Sequence, residues 1–355
     1  MLLAPMPLSW SSRVAESLLR QARRADWTVR IRILTERPQL ADHQFKDQRV
    51  VVADGYTEGV IDALLGLRLP VLVLGSQHAP PPFPQVSIDA RTIGRAAVDH
   101  LAAVGCTGIA CLGHPRRTFS ALLMDAARRR CGDLGLPFTG MLQPERWRAP
   151  LHATDRDADG DQAVGQWSRN LPAKTGILCW GDHAAIALHR LLPVQMFRDG
   201  SRMLLSAVDS PLLHGVEPAI SAVAADPELF ASVVLGAAVR LAEGQAIPQA
   251  RILVPSQGIL QRETTMPVAQ ADPLLADVLE QLAWDRSGVK AIGDIAKDLG
   301  ISRRTLERRF RERLGLSPVQ YRIRQRQERA RSLVSAGMPR AAAMRLCGLK
   351  RHQSI

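Results

Sequence analysis

Residues 86–113, VSIDARTIGRAAVDHLAAVGCTGIACLG, set the pattern for the first two thirds of the chain. The apolar run ending at Ile88 reads as a strand, TIGRAAVDHLAAVG as an amphipathic helix, and IACLG (109–113) as a second strand. One helix-length crossover between two strand-like runs predicts parallel pairing with the helix packed on the sheet. The same rhythm extends in both directions. VRIRIL (29–34), VVVA (50–53), VLVLG (71–75), GILCW (176–180) and MLLSAV (203–208) are further strand candidates. SSRVAESLLRQARRA (11–25), EGVIDALLGL (58–67) and DHAAIALHRLL (182–192) are further helices. The expectation is an α/β body with parallel sheets covered on both faces.

The opening MLLAPMPLSW is apolar, but it lacks a basic leader and two prolines interrupt it, so it reads as a buried first strand. No stretch approaches the roughly 18 apolar residues of a membrane span. The five cysteines (106, 111, 131, 179, 347) show no paired spacing and read as reduced, small apolar residues of a cytoplasmic protein, not as metal ligands. No cofactor is expected.

Ligands of parallel α/β sheets bind at the carboxyl ends of the strands. Four aspartates stand at such points: Asp54 after VVVA, Asp89 after QVSI, Asp182 after CWG and Asp209 after SAV. A carboxylate there accepts hydrogen bonds from vicinal hydroxyls, which suits a sugar; equally, each aspartate is suited to cap the helix that follows it.

The order of these segments resembles the sugar-sensing domain of LacI/GalR-type regulators. The stretch quoted at the start, TGILCWGDHAAIALHRLL, MLLSAVDSP, ISAVAADPELFASVVLGAAVRLAEG and ILVPSQGILQRET carry the resemblance across most of residues 1–264. It implies a two-lobed periplasmic-binding-protein-like fold that closes on a small carbohydrate, a pentose being one candidate, with Asp89, Asp182 and Asp209 facing the ligand. Two departures stand out. Gly181 occupies a position where the family often has an effector-contacting asparagine, and Leu122–Ala126 occupy the region of its sugar-gripping arginine. A missing charge-assisted donor of this kind is worth roughly 1.5–3 kcal/mol.

Charge is unevenly distributed. The formal net charge is +12, and from Asp272 onward 18 basic residues face 9 acidic ones. A near-neutral body thus carries a small basic module, for which a polyanion is the natural partner. Within it, LLADVLEQLAWDR has a helical apolar stripe, AIGDIAKDLG a second one ending at Gly300, and Ser302 caps a third helix through ISRRTLERRFRERLG (301–315). Two short helices joined by a glycine-containing turn make a helix-turn-helix. Projected at 100° per residue, Leu306, Phe310 and Leu314 share one side, whereas Arg304, Thr305, Arg308 and Arg311 fall opposite, with few acids to compensate. In SPVQYRIRQRQERARSLVSAG, Ser317 caps a helix with Pro318 at its first position and Val319, Ile323, Ala330 and Leu333 or Val334 as its inner stripe.

From about residue 274 the chain resembles AraC/XylS-type DNA-binding domains, with IAKDLGISRRTLERRFRERLGLSP a close match and Gln327 replacing a usual leucine. The resemblance implies base reading by Arg304, Glu307 and Arg308, and phosphate contacts by Arg303 and Arg309. Glu307 is also placed for an intrahelical pair with Arg303 or Arg311. MPRAAAMRLCGLKRHQSI begins the family's second helix-turn-helix, with Arg340 at a usually apolar position, and reaches Ile355 a few residues into the second recognition helix. Because paired recognition helices enter successive major grooves about 34 Å apart, an incomplete second unit predicts either weak DNA binding rescued by dimerisation or a regulator that no longer works.

The expected organisation is a sensor over 1–266, a linker over 267–273 and an all-α helix-turn-helix domain over 274–355. The expected function is a non-enzymatic, sugar-controlled, sequence-specific transcription regulator with an operator duplex, a second copy of the chain and RNA polymerase as partners. The alternative is a carbohydrate-binding protein whose DNA module is vestigial. No nucleophile motif, phosphate loop or metal set accompanies the aspartates.

Overall fold

The computed structural model describes residues 2–4, 10–33, 39–55, 58–76, 82–144, 147, 157–247, 250–266, 273–284, 291–314, 316–335, 340–349 and 353. Most of residues 267–273, the expected linker, lie outside this set.

The first unit comprises Met1–Asp89, Arg116–Ala121 and Ala225–Val254. Its elements up to Asp89 are β1 (Leu2–Ala4), α1 (Trp10–Arg24), β2 (Ile31–Ile33), β3 (Val51–Gly55), α2 (Glu58–Leu65), β4 (Val71–Ser76) and β5 (Gln85–Ile88). The second unit begins with α3 (Ala90–Ala103) and β6 (Gly108–Gly113). Then come α4 (Thr118–Leu134), which belongs to it from Leu122 onward, β7 (Phe138–Leu142), α5 (Ala158–Arg169), β8 (Thr175–Cys179), α6 (Asp182–Leu191), α7 (Val194–Arg198), β9 (Arg202–Ser206) and β10 (Ser221–Ala225). The chain returns to the first unit for α8 (Pro227–Ala242) and β11 (Arg251–Val254), then completes the second with β12 (Ser256–Leu260) and everything beyond.

In the first unit the strand order is β11-β5-β4-β3-β1-β2, and its paired strands run parallel. Val14 and Leu18 of α1 and Phe230, Val234 and Ala237 of α8 close over one face, against Val50, Val52, Leu72 and Val86. Phe45 and the Val60–Ile61–Leu64 stripe of α2 cover the other, against Val51, Ala53, Val71 and Val73. Alternation along β3 thus serves two cores, as expected of a sheet buried on both sides. Glu228 ties the helices together, accepting from Ser17 Oγ at 2.7 Å and from Arg20.

The second unit's sheet runs β12-β10-β9-β8-β6-β7, and the pairs β10–β9, β9–β8, β8–β6 and β6–β7 are parallel. α3 approaches α4 so closely that a β-carbon on Gly94 would stand 2.6 Å from the Leu123 carbonyl, so only glycine fits there. Arg202, 3% exposed, donates to the carbonyls of Ser168, Arg169, Leu171 and Pro172. It places a buried cation at the carboxyl end of α5, where the helix dipole favours positive charge.

The remaining helices are α9 (Pro273–Trp284), α10 (Ile292–Asp298), α11 (Arg303–Leu314), α12 (Pro318–Ser335) and α13 (Arg340–Leu346). Pro273, expected in the linker, already opens α9. Leu275, Val278, Leu279, Leu282, Ile292, Ile295, Leu306 and Phe310 form one core, into which Met266 also inserts. The inner stripe expected for α12 needs correction. Ala330 is fully buried, but Val319 and Val334 are 44% and 37% exposed. Instead Pro318 is buried, Tyr321 meets the Phe310 ring edge-on at 6.0 Å, and the helix packs against both α13 and β12. α13 buries Ala343, with Cys347 and Leu349 buried just beyond it, while Arg340 is exposed and carries no burial penalty.

Candidate functional site

Two constellations stand apart in the second unit. The first is at the carboxyl ends of adjacent strands β7, β6, β8 and β9. The backbone ladder continues past the strand ends, since Gln143 N donates to Gly113 O at 2.8 Å, Trp180 N to Leu112 O at 3.0 Å and Ala207 N to Cys179 O at 2.9 Å. Residues immediately after these strands are therefore held by the sheet itself.

Trp180 Nε1 donates to Gln143 Oε1 at 2.8 Å, Gln143 Nε2 donates to Trp147 O at 3.1 Å, and Trp147 Nε1 donates to Asp161 Oδ1 at 2.9 Å. The His114 ring meets Trp180 at 5.0 Å and 73°. Next in the chain, Gly181 has, among the described residues other than its chain neighbours Trp180 and Asp182, no heavy atom within 4 Å of where a β-carbon would be. Asp182 follows, 8% exposed, its Oδ1 accepting from the His183 backbone at 2.8 Å. Its carboxylate thus serves the first turn of α6.

Asp209 is 2% exposed and pairs with Arg262, whose Nη2 lies 2.8 Å from its Oδ1. Arg262 is 4% exposed; it also donates to Ile220 O at 2.7 Å and to His214 Nε2 at 2.8 Å, which leaves His214 as the acceptor. Asp182 and Asp209 therefore share one sheet edge. Asp89 belongs to the first unit, half-buried ahead of α3, with its N–H bonded to Val254 O at 2.8 Å. Asp54 lies within β3 rather than after it, at the register shift beside Gly55, and its side chain is outside the described residues.

Sequence reasoning looked for carboxylates and so missed Trp180, Gln143, His114 and Arg262. The available signal was positional, because each of the first three directly follows a strand.

The cysteines are buried, and burial pushes the Cys106 thiol up to about 12 and that of Cys131 up to about 11. Such thiols are neither nucleophiles nor ready metal ligands at neutral pH. Among the described residues no cluster of metal-ligating side chains occurs, and no helix is long and apolar enough to cross a membrane.

The second constellation is α10–turn–α11. Gly300, at φ +67°, makes the left-handed turn that ends α10. Ser302 Oγ accepts from Thr305 N at 3.1 Å, and the two hydroxyls lie 2.8 Å apart, so Thr305 takes part in the cap. Leu306 and Phe310 are fully buried, which turns the arginine side outward. Arg303, Arg304, Arg308 and Arg311 are exposed, and Thr305, Glu307 and Arg309 are half-buried. The face has more internal compensation than the helical projection gave. Arg303 pairs with Glu307 at 2.8 Å and Arg308 with Glu312 at 3.0 Å, both one helical turn apart. Such exposed pairs are worth about 0.3–0.5 kcal/mol, so they hold the guanidinium groups ready without committing them.

Comparisons with known proteins agree with this geometry. A model of a periplasmic binding protein-like domain matches residues 98–265, and a helix-turn-helix domain model matches residues 295–354. The xylose operon regulatory protein of Escherichia coli K12 is 25% identical over 323 residues, covering 84% of this chain and 77% of that one. The solved structure of the xylose-binding transcription activator xylR aligns over 98% of this chain and 90% of its own, with a TM-score of 0.61 at 20% identity. A LacI family regulator from Arthrobacter sp. FB24, solved with lactose, aligns over 74% of this chain and 97% of its own at TM-score 0.58 and 20% identity. The chain thus carries a stretch that matches a periplasmic binding protein-like domain followed by one that matches a helix-turn-helix domain, and over most of its length it is similar to the xylose operon regulatory protein.

Proposed function

We propose that this protein is a sequence-specific DNA-binding transcription regulator controlled by a small carbohydrate. One observation carries the reading. A sensor-type α/β domain and a capped helix-turn-helix that turns its arginines outward occur in one chain, homologous to a xylose operon regulator. α11 enters a major groove, Arg304, Glu307 and Arg308 meet base edges with Thr305 beside them, and Arg303, Arg309 and Arg311 meet phosphates. The effector binds at the carboxyl ends of the sensor strands. Asp182 lies at that edge, Asp209 supports it through Arg262, and Asp54 and Asp89 are the first unit's counterparts. The regulator works in the cytoplasm as a homodimer, contacts RNA polymerase and catalyses no reaction. The sensor extends over 1–266 and the DNA-binding domain over 274–355, with the chain between them as connector.

The test is a gel shift with duplexes selected from a random library, repeated across a salt series and with and without D-xylose. Specific binding that weakens steeply with salt and changes with sugar supports the reading. Sugar binding with no duplex retained at low salt favours instead a carbohydrate-binding protein with an inactive DNA module.

A further inference from the structure

The charges of α11 stand in an order that helix stability does not favour. The first turn opens with Arg303 and Arg304 and contains no acid, although the positive end of the helix dipole favours acids there. Both ion pairs place the arginine four residues ahead of the glutamate, Arg303 with Glu307 and Arg308 with Glu312, which is the weaker of the two orientations. The order therefore answers to something outside the helix. Glu307 has a task of its own among the residues assigned to base edges; Glu312 has none. Its carboxylate accepts from Arg308 Nη1 on both oxygens, at 3.0 and 3.3 Å. That contact uses one corner of the guanidinium. The edge formed by Nε and Nη2 still carries two parallel N–H groups, a fork that matches guanine O6 and N7. Glu312 lies about 40° around the helix from Arg308, so the pair stays on the side that the buried Leu306 and Phe310 turn outward.

We propose that Glu312 is a positioning residue for base recognition: it steadies Arg308 through Nη1 so that Nε and Nη2 face a guanine, and its charge opposes capture of Arg308 by a phosphate. A neutral base edge is reached with the ion pair intact. A phosphate that draws Arg308 away instead leaves the Glu312 carboxylate uncompensated beside a polyanion, and like charges at that range repel. Selectivity then comes from penalising the wrong contact as well as from favouring the right one. This inference rests on the DNA-binding reading above and specifies how α11 chooses among sequences.

The test is a fluorescence-anisotropy titration of the full-length protein over a salt series. The probes are an operator duplex selected from a random library, the set of its single-base-pair variants, and an unrelated duplex of equal length. Both side chains of the pair are more than half exposed, so their removal leaves the helical core intact. Wild-type protein should show one guanine whose replacement weakens binding about tenfold or more, and Arg308→Ala should lose that preference. Glu312→Ala should bind every duplex more tightly at low salt, the mismatched ones most, so that the preference at this guanine falls to about threefold or less. Its affinity should also decline more steeply with salt, because Arg308 is then free to neutralise a phosphate. Added to Arg308→Ala, the same substitution should change nothing further at that base pair. Equal tightening on all duplexes with the guanine preference kept, or loss of a preference that Arg308→Ala retains, overturns the proposal and leaves the DNA-binding reading standing. Retention of no duplex by the wild-type protein overturns both.

Discussion

Replacing Arg262 with methionine tests the second unit at its most charged buried point. The guanidinium and the Asp209 carboxylate are 5% and 2% exposed, with 2.8 Å between the bonded atoms. A pair this deep gains little net energy as a pair, because desolvating both ions offsets most of their attraction. Removing one partner is different. The substitution takes the ion-pair partner from the buried Asp209 carboxylate and also removes the donors to Ile220 O and His214 Nε2. Breaking a buried pair in this way costs about 3–5 kcal/mol. For a unit of this size that corresponds to a fall in Tm of roughly 6–20 °C.

Differential scanning calorimetry of Arg262→Met, Asp209→Leu and the double variant would measure it. The double variant removes both charges, so it should recover part of the loss and show a coupling energy of at least about 1 kcal/mol. A fall in Tm of less than 2 °C in Arg262→Met, or strictly additive single effects, would refute the claim that the two charges hold each other in place.

The other expectations concern different parts of the chain. His100 is bonded to Thr265 Oγ1 at 3.0 Å, and burial lowers its pKa to about 4. Because the unfolded chain takes up this proton near pH 6.5 and the folded one does not, stability should fall as pH drops from 6.5 to 4, by up to about 3 kcal/mol. Chemical denaturation of wild type and His100→Gln across that range checks this, and parallel curves would exclude the contribution. Arg308→Ala should weaken binding to a selected operator by about 1–3 kcal/mol and relax preference at one base pair. Glu312→Ala, which frees Arg308 and removes a negative charge, should tighten binding at low salt; gel shifts over single-base operator variants read both. Met266→Ala should destabilise the helical domain by about 2–5 kcal/mol, seen as loss of helical circular dichroism at lower denaturant.

Much of the fold follows from periodicity that the sequence displays openly. β3, β4, β6, β8 and β9 lie within a residue or two of their apolar runs, because strands buried on both faces need continuous apolar residues. β7 was not recognised: FTGML lies at a sheet edge with Thr139, Gly140 and Leu142 exposed, so burial imposes no pattern on it. β11 and β12 are short runs separated by Pro255 alone and belong to different sheets, which a linear reading cannot divide. In α12 the periodicity was real but pointed the wrong way. A helix that packs against α13 and β12 in addition to α9 and α11 has no single buried side. The ion pair of Asp209 and Arg262 spans 53 residues and had no local signature.

The segment that joins sensor to helices has its own consequence for regulation. Glu263 accepts from Ala219 N at 2.6 Å, Thr264 accepts from Ser221 N and donates to Leu204 O, and Thr265 shares a bond with Ser221. The next residue, Met266, is buried in the helical core, and α12 packs on β12. The helices therefore start from a point locked into the sensor sheet. Leu204 and Ser206, which β9 contributes to this sheet, directly precede the turn that carries Asp209. A ligand favouring one arrangement of these strand ends changes DNA affinity only as far as it binds the two arrangements differently, and DNA must alter sugar affinity by the same factor. Anchoring of this kind makes that factor a property of the 263–266 segment and of α12 on β12, the places where variants should change coupling while leaving both binding surfaces intact.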